Sequence, residues 1–81
     1  MIRIIASEQF ERVLDKIDPS VKIKIDKLVD KIVQDPEIGK PMRHDRKGTR
    51  EVYVSSFRLS YAYDKSKDTL IFLDIYHKDE Q

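Results

Sequence analysis

Five side chains of the C-terminal half, Glu51, Tyr53, Arg58, His77 and Lys78, are of the types that break an RNA phosphodiester without a metal. Such a cleavage needs a base for the 2′-hydroxyl proton, an acid for the departing 5′-oxygen and cations to hold the phosphorane charge. His77, Glu51, Tyr53 and Lys78 offer proton donors and acceptors, Arg58 offers a permanent positive charge, and His77 is the natural proton carrier because histidine is the side-chain type suited to proton transfer near neutral pH. The plain alternatives are a surface histidine at a strand end and an arginine paired across strands with an Asp or Glu. Other chemistries lack their residues. With no Cys and two His, at 44 and 77, no closed nitrogen–sulfur metal site can form, so neither a metal nor any other cofactor is expected. Gly39 and Gly48 belong to no phosphate-loop or dinucleotide fingerprint, and Ser55-Ser56 lacks the glycine elbow of a hydrolase nucleophile.

For these groups to meet, the elements carrying them must be packed in one domain, expected over residues 1–81. A chain of 81 residues has apolar surface for a single core, and 40% hydrophobic with 38% charged residues of balanced sign is too apolar for a disordered segment. Charge is uneven along the chain. Residues 1–39 hold seven Lys/Arg against eight Asp/Glu, residues 59–81 three against five, and residues 40–58 six against two. The cations of that middle segment, Lys40, Arg43, Arg46, Lys47 and Arg50 with Arg58, attract a polyanion over a Debye length of about 8–10 Å, and are the candidate RNA-binding or ribosome-binding set. His44 lies among them and is expected to add hydrogen bonds rather than catalysis.

The periodicity supplies the frame. Met1–Ala6 is an Ile-rich run that reads as a strand buried on at least one face. Ser7 caps a helix whose Phe10, Val13, Leu14 and Ile17 form one stripe, and Asp18-Pro19 starts a second with Val21, Ile25, Leu28, Val29, Ile32 and Val33 facing inward. Asp35-Pro36 and Gly39 end it, and Lys40–Thr49, which has no apolar period, reads as a loop. From Arg50 the period falls to two. Val52 and Val54, then Phe57, Leu59, Tyr61 and Tyr63, make a hairpin turning at Ser55-Ser56, and Thr69–Ile75 is an apolar central strand after the polar turn Asp64–Asp68. The order β-α-α-β-β-β is an α+β domain in two layers: a helix hairpin on one face of a mostly antiparallel four-stranded sheet, with the other face open. Arg58 alternates away from the aromatic set, so if that set faces the helices the guanidinium points to the open face or a groove, and an antiparallel last strand brings His77 and Lys78 towards Phe57-Arg58. No run approaches the 18 apolar residues of a membrane helix and the N-terminus is too soon charged for a signal peptide, so a cytoplasmic protein with no membrane partner is expected.

Three strings, in this order, resemble the RelE/ParE superfamily of small toxins: Asp35-Pro36-Glu37-Ile38-Gly39-Lys40-Pro41-Met42-Arg43, then Lys47-Gly48-Thr49-Arg50-Glu51-Val52-Tyr53-Val54-Ser55-Ser56-Phe57-Arg58-Leu59-Ser60-Tyr61, then Leu73-Asp74-Ile75-Tyr76-His77-Lys78-Asp79. The resemblance implies a RelE-like fold and the toxin of a type II toxin–antitoxin system, neutralised by a cognate antitoxin. In RelE-like members it further implies a ribosome-dependent, metal-independent messenger-RNA endoribonuclease that inhibits translation, an mRNA interferase. Arg58 matches the family's arginine in the Tyr-Arg-Leu string, Lys78 the second cation after the last strand, and His77 the histidine often found there.

The departures open rival readings. Glu51 and Tyr53 stand where RelE-like enzymes place Lys or Arg, and the family's further C-terminal Tyr has no counterpart, although Tyr76 could substitute. A carboxylate near Glu51 recurs as a base in some relatives. Gly48-Thr49-Arg50-Glu51 resembles instead the ParE-like members, which inhibit DNA gyrase without cleaving RNA. The low net charge of +1 leaves a third reading, a catalytically weakened relic that only binds its antitoxin.

Overall fold

The Ser7 hydroxyl accepts from the Phe10 amide at 3.0 Å, capping the first helix, and donates to the Leu73 carbonyl at 2.6 Å, tying that helix to the last strand. The computed structural model describes residues 2–43 and 47–78. Its elements are β1 (Arg3–Ala6), α1 (Glu8–Lys16), α2 (Pro19–Gln34), β2 (Lys40–Pro41), β3 (Thr49–Val54), β4 (Phe57–Asp64) and, after a short 3₁₀ turn at Lys65–Lys67, β5 (Thr69–His77). Asp18 caps α2 by accepting from the Ser20 amide at 2.8 Å, with Pro19 at the first helical position. None of the described helices is long and apolar enough to cross a membrane.

The strands form one sheet in the order β1-β5-β4-β3-β2. β1 runs parallel to β5 and the other neighbours are antiparallel. The four long strands are those anticipated from the sequence. The fifth, β2, lies inside the segment read as a loop; its two residues pair Lys40 with Glu51 and Pro41 with Arg50, too short a span for periodicity to register.

Both helices cover one face. Phe10, Ile25, Ile32, Val54, Leu59, Tyr61, Leu70, Phe72 and Ile75 are its buried core, with the Phe10 and Phe72 rings 5.3 Å apart. The inward stripes expected for α1 and α2 pack there, Val13, Leu14 and Ile17 from one and Val21, Leu28, Val29 and Val33 from the other. β1 departs from expectation: as an edge strand it leaves Ile4 and Ile5 half exposed.

One irregularity decides which side chains reach the open face. β5 pairs Asp74 with Ser60 but Phe72 with Tyr61, so Leu73 is an extra residue and the two-residue alternation changes phase across it. Phe72 and Ile75 are therefore both in the core although three residues apart.

Candidate functional site

Directly opposed residues of paired strands share a face. Leu59 pairs with Val52 and Ile75 beneath the helices, so the flanking rows Tyr53–Arg58–Tyr76 and Glu51–Ser60–Asp74 stand on the helix-free face. Glu51 is the anomaly among them. It is 5% exposed, one of only two buried polar residues among those described, although its face carries no helix. Neighbouring side chains cover it: the Tyr76 hydroxyl donates to Oε2, and Arg58 Nη1 stands 3.7 Å from Oε1. The Arg58 guanidinium also lies over the Tyr53 ring, 5.1 Å from its centroid, within cation–π range.

β2 brings Lys40 opposite Glu51, and the chain continues through Met42 to Arg43. A groove of about 770 Å³ runs between that segment and Glu51, Tyr53 and Arg58. It carries three cations, Lys40, Arg43 and Arg58, against one carboxylate, with an aromatic ring among them. An anion entering it meets a preformed guanidinium and two exposed cations at the rim; Glu51, as a carboxylate, can take a proton, and Tyr76 can give one.

The segment carrying Lys40 is held from beneath. Tyr61, fully buried, donates its hydroxyl to the Pro36 carbonyl at 2.9 Å and accepts from the Gly39 amide at 2.9 Å. Arg50 Nη1 donates to the Glu37 carbonyl at 3.0 Å and the Gly39 carbonyl at 2.7 Å. Burial raises the Tyr61 pKa above its ordinary value near 10, against the opposing pull of the Gly39 amide and the Arg50 charge.

Of the residues singled out from the sequence, the fold brings Glu51, Tyr53 and Arg58 together with Lys40 and Arg43. His77 does not join them. It pairs with Phe57 on the helix-bearing face, the two rings edge to face at 5.6 Å. Lys78 is exposed past the end of β5, its amide donating to the Ser56 carbonyl at 2.9 Å. Arg50 pairs with Tyr61 and faces the helix side, committed to the 37–39 backbone. Lys47 is exposed in the turn where Gly48 takes φ +95°. Arg46 and His44 lie outside the described residues. Tyr76, which the sequence offers only in place of the family's further C-terminal Tyr, sits against the Glu51 carboxylate. Its position opposite Arg58 follows from the β4–β5 register and from nothing in its local sequence.

Comparison with known proteins gives the arrangement its family. The toxin of the RelBE2 toxin–antitoxin complex of Mycobacterium tuberculosis superposes with a TM-score of 0.84 at 23% identity, covering 95% of this chain and 98% of that one. A YoeB/ParE toxin from Agrobacterium tumefaciens gives 0.84 at 15% identity, covering 94% and 98%. The isolated E. coli RelE toxin gives 0.83 at 13% identity, covering 100% of this chain and 88% of its own. No curated protein matches by sequence. At these identities the superpositions establish a RelE-like fold. The family profile described as the ParE-like toxin of type II bacterial toxin–antitoxin systems matches residues 4–80, nearly the whole chain, and the protein belongs to that family.

Proposed function

We propose that this chain is the toxin of a type II toxin–antitoxin pair and acts in the cytoplasm as a metal-independent endoribonuclease on messenger RNA held by the ribosome. The observation that carries the reading is the convergence of Arg58 and the Tyr76 hydroxyl on Glu51, beside a groove that Glu51 and Arg58 line with Lys40 and Arg43. Glu51 takes the proton of the 2′-hydroxyl as the 2′-oxygen attacks phosphorus. The P–O5′ bond breaks, and the departing 5′-oxygen takes the Tyr76 phenol proton. The carboxyl then returns its proton to the phenolate through their shared hydrogen bond, leaving a 2′,3′-cyclic phosphate and a 5′-hydroxyl. Arg58 bears the phosphorane charge, while Lys40 and Arg43 hold flanking phosphates. Lys47, exposed in the turn before β3, is assigned to ribosomal RNA.

A cognate antitoxin is the expected partner. RelB accompanies RelE in the E. coli and Pyrococcus horikoshii complexes that share this fold. The outer edge of β1, with Ile4 and Ile5 exposed, suits an added extended segment.

A gyrase-inhibiting reading has a specific observation in its favour. His77 faces away from Arg58, and Arg58 is already engaged by Glu51, as suits a binding protein with no proton relay. Induction of the toxin without antitoxin separates the two. Transcripts cut within codons, and left intact by Arg58→Ala, support the nuclease; intact transcripts with trapped DNA breaks support gyrase inhibition instead.

A further inference from the structure

Tyr53 is 65% exposed, the most exposed of the large hydrophobic residues among those described. Exposure of a single ring is ordinary; its surroundings are what give it a reading. It projects from the helix-free face beside Arg58, directly across the β3–β4 pair. The guanidinium lies over the ring, and so much exposure leaves a broad part of the ring surface to solvent. Lys40 and Arg43 stand on the far side of the same groove.

A flat π-surface set among three cations matches a chain that alternates flat rings with anions. That is single-stranded nucleic acid: its unpaired bases stack on aromatic side chains while a positive groove follows its backbone. A duplex offers no free base face at this position, and an acidic peptide has the charge but not the rings. We propose that Tyr53 is a stacking platform for one unpaired nucleobase of a single-stranded RNA, with Arg58, Lys40 and Arg43 holding adjacent phosphates. The proposal rests on the nucleic-acid reading of the groove and gives Tyr53 a role in binding, separate from the proton relay of Glu51 and Tyr76. Stacking depends on the ring and not on the hydroxyl, so Tyr53→Phe keeps it and Tyr53→Leu removes it.

The test measures binding of a short unstructured RNA and of the same strand with abasic positions, by fluorescence anisotropy, on the full chain and both variants. Each stacked base is worth about 5–150-fold in affinity. Expected are wild-type affinity in Tyr53→Phe and a loss in that range for Tyr53→Leu on the base-bearing strand. On the abasic strand the Tyr53→Leu loss disappears. The salt slope stays unchanged in Tyr53→Leu and falls in Arg43→Ala, because only the latter deletes a phosphate contact. Equal weakening on both strands, equal weakening in Tyr53→Phe and Tyr53→Leu, or no binding of the base-bearing strand at low salt overturns the proposal. Base-dependent binding without any cleavage of transcripts upholds the platform while removing the nuclease reading, so the two fail separately.

Discussion

Arg58 Nη1 stands 3.7 Å from Glu51 Oε1, and the side chains are 20% and 4% exposed. Arg58 thus faces a built-in counter-anion, and under the proposed function that anion stands where the substrate phosphate would bind. Phosphate binding must compete with Glu51 for the guanidinium, and the carboxylate in turn loses its cation when a phosphate takes over.

Glu51→Gln separates binding from chemistry. The amide can still accept from Tyr76, while Arg58 loses its competing negative charge. RNA affinity should rise, because a phosphate no longer competes with a carboxylate for the guanidinium. Cleavage should fall by roughly 10²–10⁴-fold with the general base removed. Arg58→Ala should lose activity by roughly 10²–10³-fold and also destabilise the fold, since a buried carboxylate loses its counter-charge. Anisotropy, transcript mapping and thermal unfolding check the three effects. Affinity unchanged or lowered in Glu51→Gln would mean that the pair does not restrain the groove.

His77 and Tyr76 should behave oppositely although they are adjacent. His77→Ala removes an edge-to-face contact with Phe57 and should cost about 0.5–1.5 kcal/mol of stability, with growth arrest intact. Tyr76→Phe leaves the ring and deletes the hydroxyl on Glu51, and should lower cleavage by roughly 10²-fold while costing about 1–3 kcal/mol of stability, since the buried carboxylate loses a donor. Growth assays of the two variants, with unfolding curves as control, decide the matter. A toxic Tyr76→Phe beside a harmless His77→Ala would return the proton transfer to the imidazole.

That contrast marks the limit of what could be read from residues alone. The helices were legible because each apolar stripe persists over several turns: Phe10, Ile25 and Ile32 are buried where a period of 3.6 puts them. The hairpin and the outward turn of Arg58 followed from a period of two. Counting by twos from buried Leu70 and Phe72 would send His77 to the open face and Tyr76 to the core. The bulge at Leu73 reverses both, and it is a property of β4–β5 pairing that no local pattern announces. Arg50 shows a similar limit. Its charge looks available in a basic stretch, and only the fold reveals the carbonyls of Glu37 and Gly39 beneath it. The exposed Ile4 and Ile5 show the same limit at β1: an apolar run marks a strand but does not tell a central strand from an edge.

Gly39 connects the latch beneath the sheet to the groove above it. A Cβ added there would meet Tyr61 Oη at 2.7 Å, Tyr61 Cε1 at 2.9 Å and Arg50 Cβ at 3.1 Å. Tyr61 is fully buried and has no room to retreat, so Gly39→Ala should destabilise by about 1–3 kcal/mol through overpacking. Lys40 is the next residue, so RNA affinity should fall in step. Adding Tyr61→Phe to Gly39→Ala removes the nearest contact, the hydroxyl oxygen, and leaves the ring carbon. The second substitution should therefore cost less in the Gly39→Ala background than alone. Strict additivity in a double-mutant cycle of unfolding free energies would show that the two do not meet as the geometry requires.

Tyr61→Phe alone tests the latch through pH. The hydroxyl joins the Pro36 carbonyl to the Gly39 amide, and its loss leaves both unpaired inside the fold, which should cost about 1–3 kcal/mol at neutral pH. Burial raises the Tyr61 pKa in the folded state above the ordinary value near 10, so the unfolded chain ionises first as pH climbs. The stabilisation is therefore whole below about pH 10 and is lost as pH rises through the folded-state value. Tyr63 contributes a slope of the same sign, because its hydroxyl donates to Asp68 and its pKa is also raised, but it does so in both proteins. Unfolding free energies measured from pH 7 to 11 should show the advantage of wild type over Tyr61→Phe constant at first and shrinking above pH 10. An advantage that stays constant over the whole range would mean that the folded protein does not hold this hydroxyl in its neutral, donating form, and the anchoring of Lys40 from beneath would need another source.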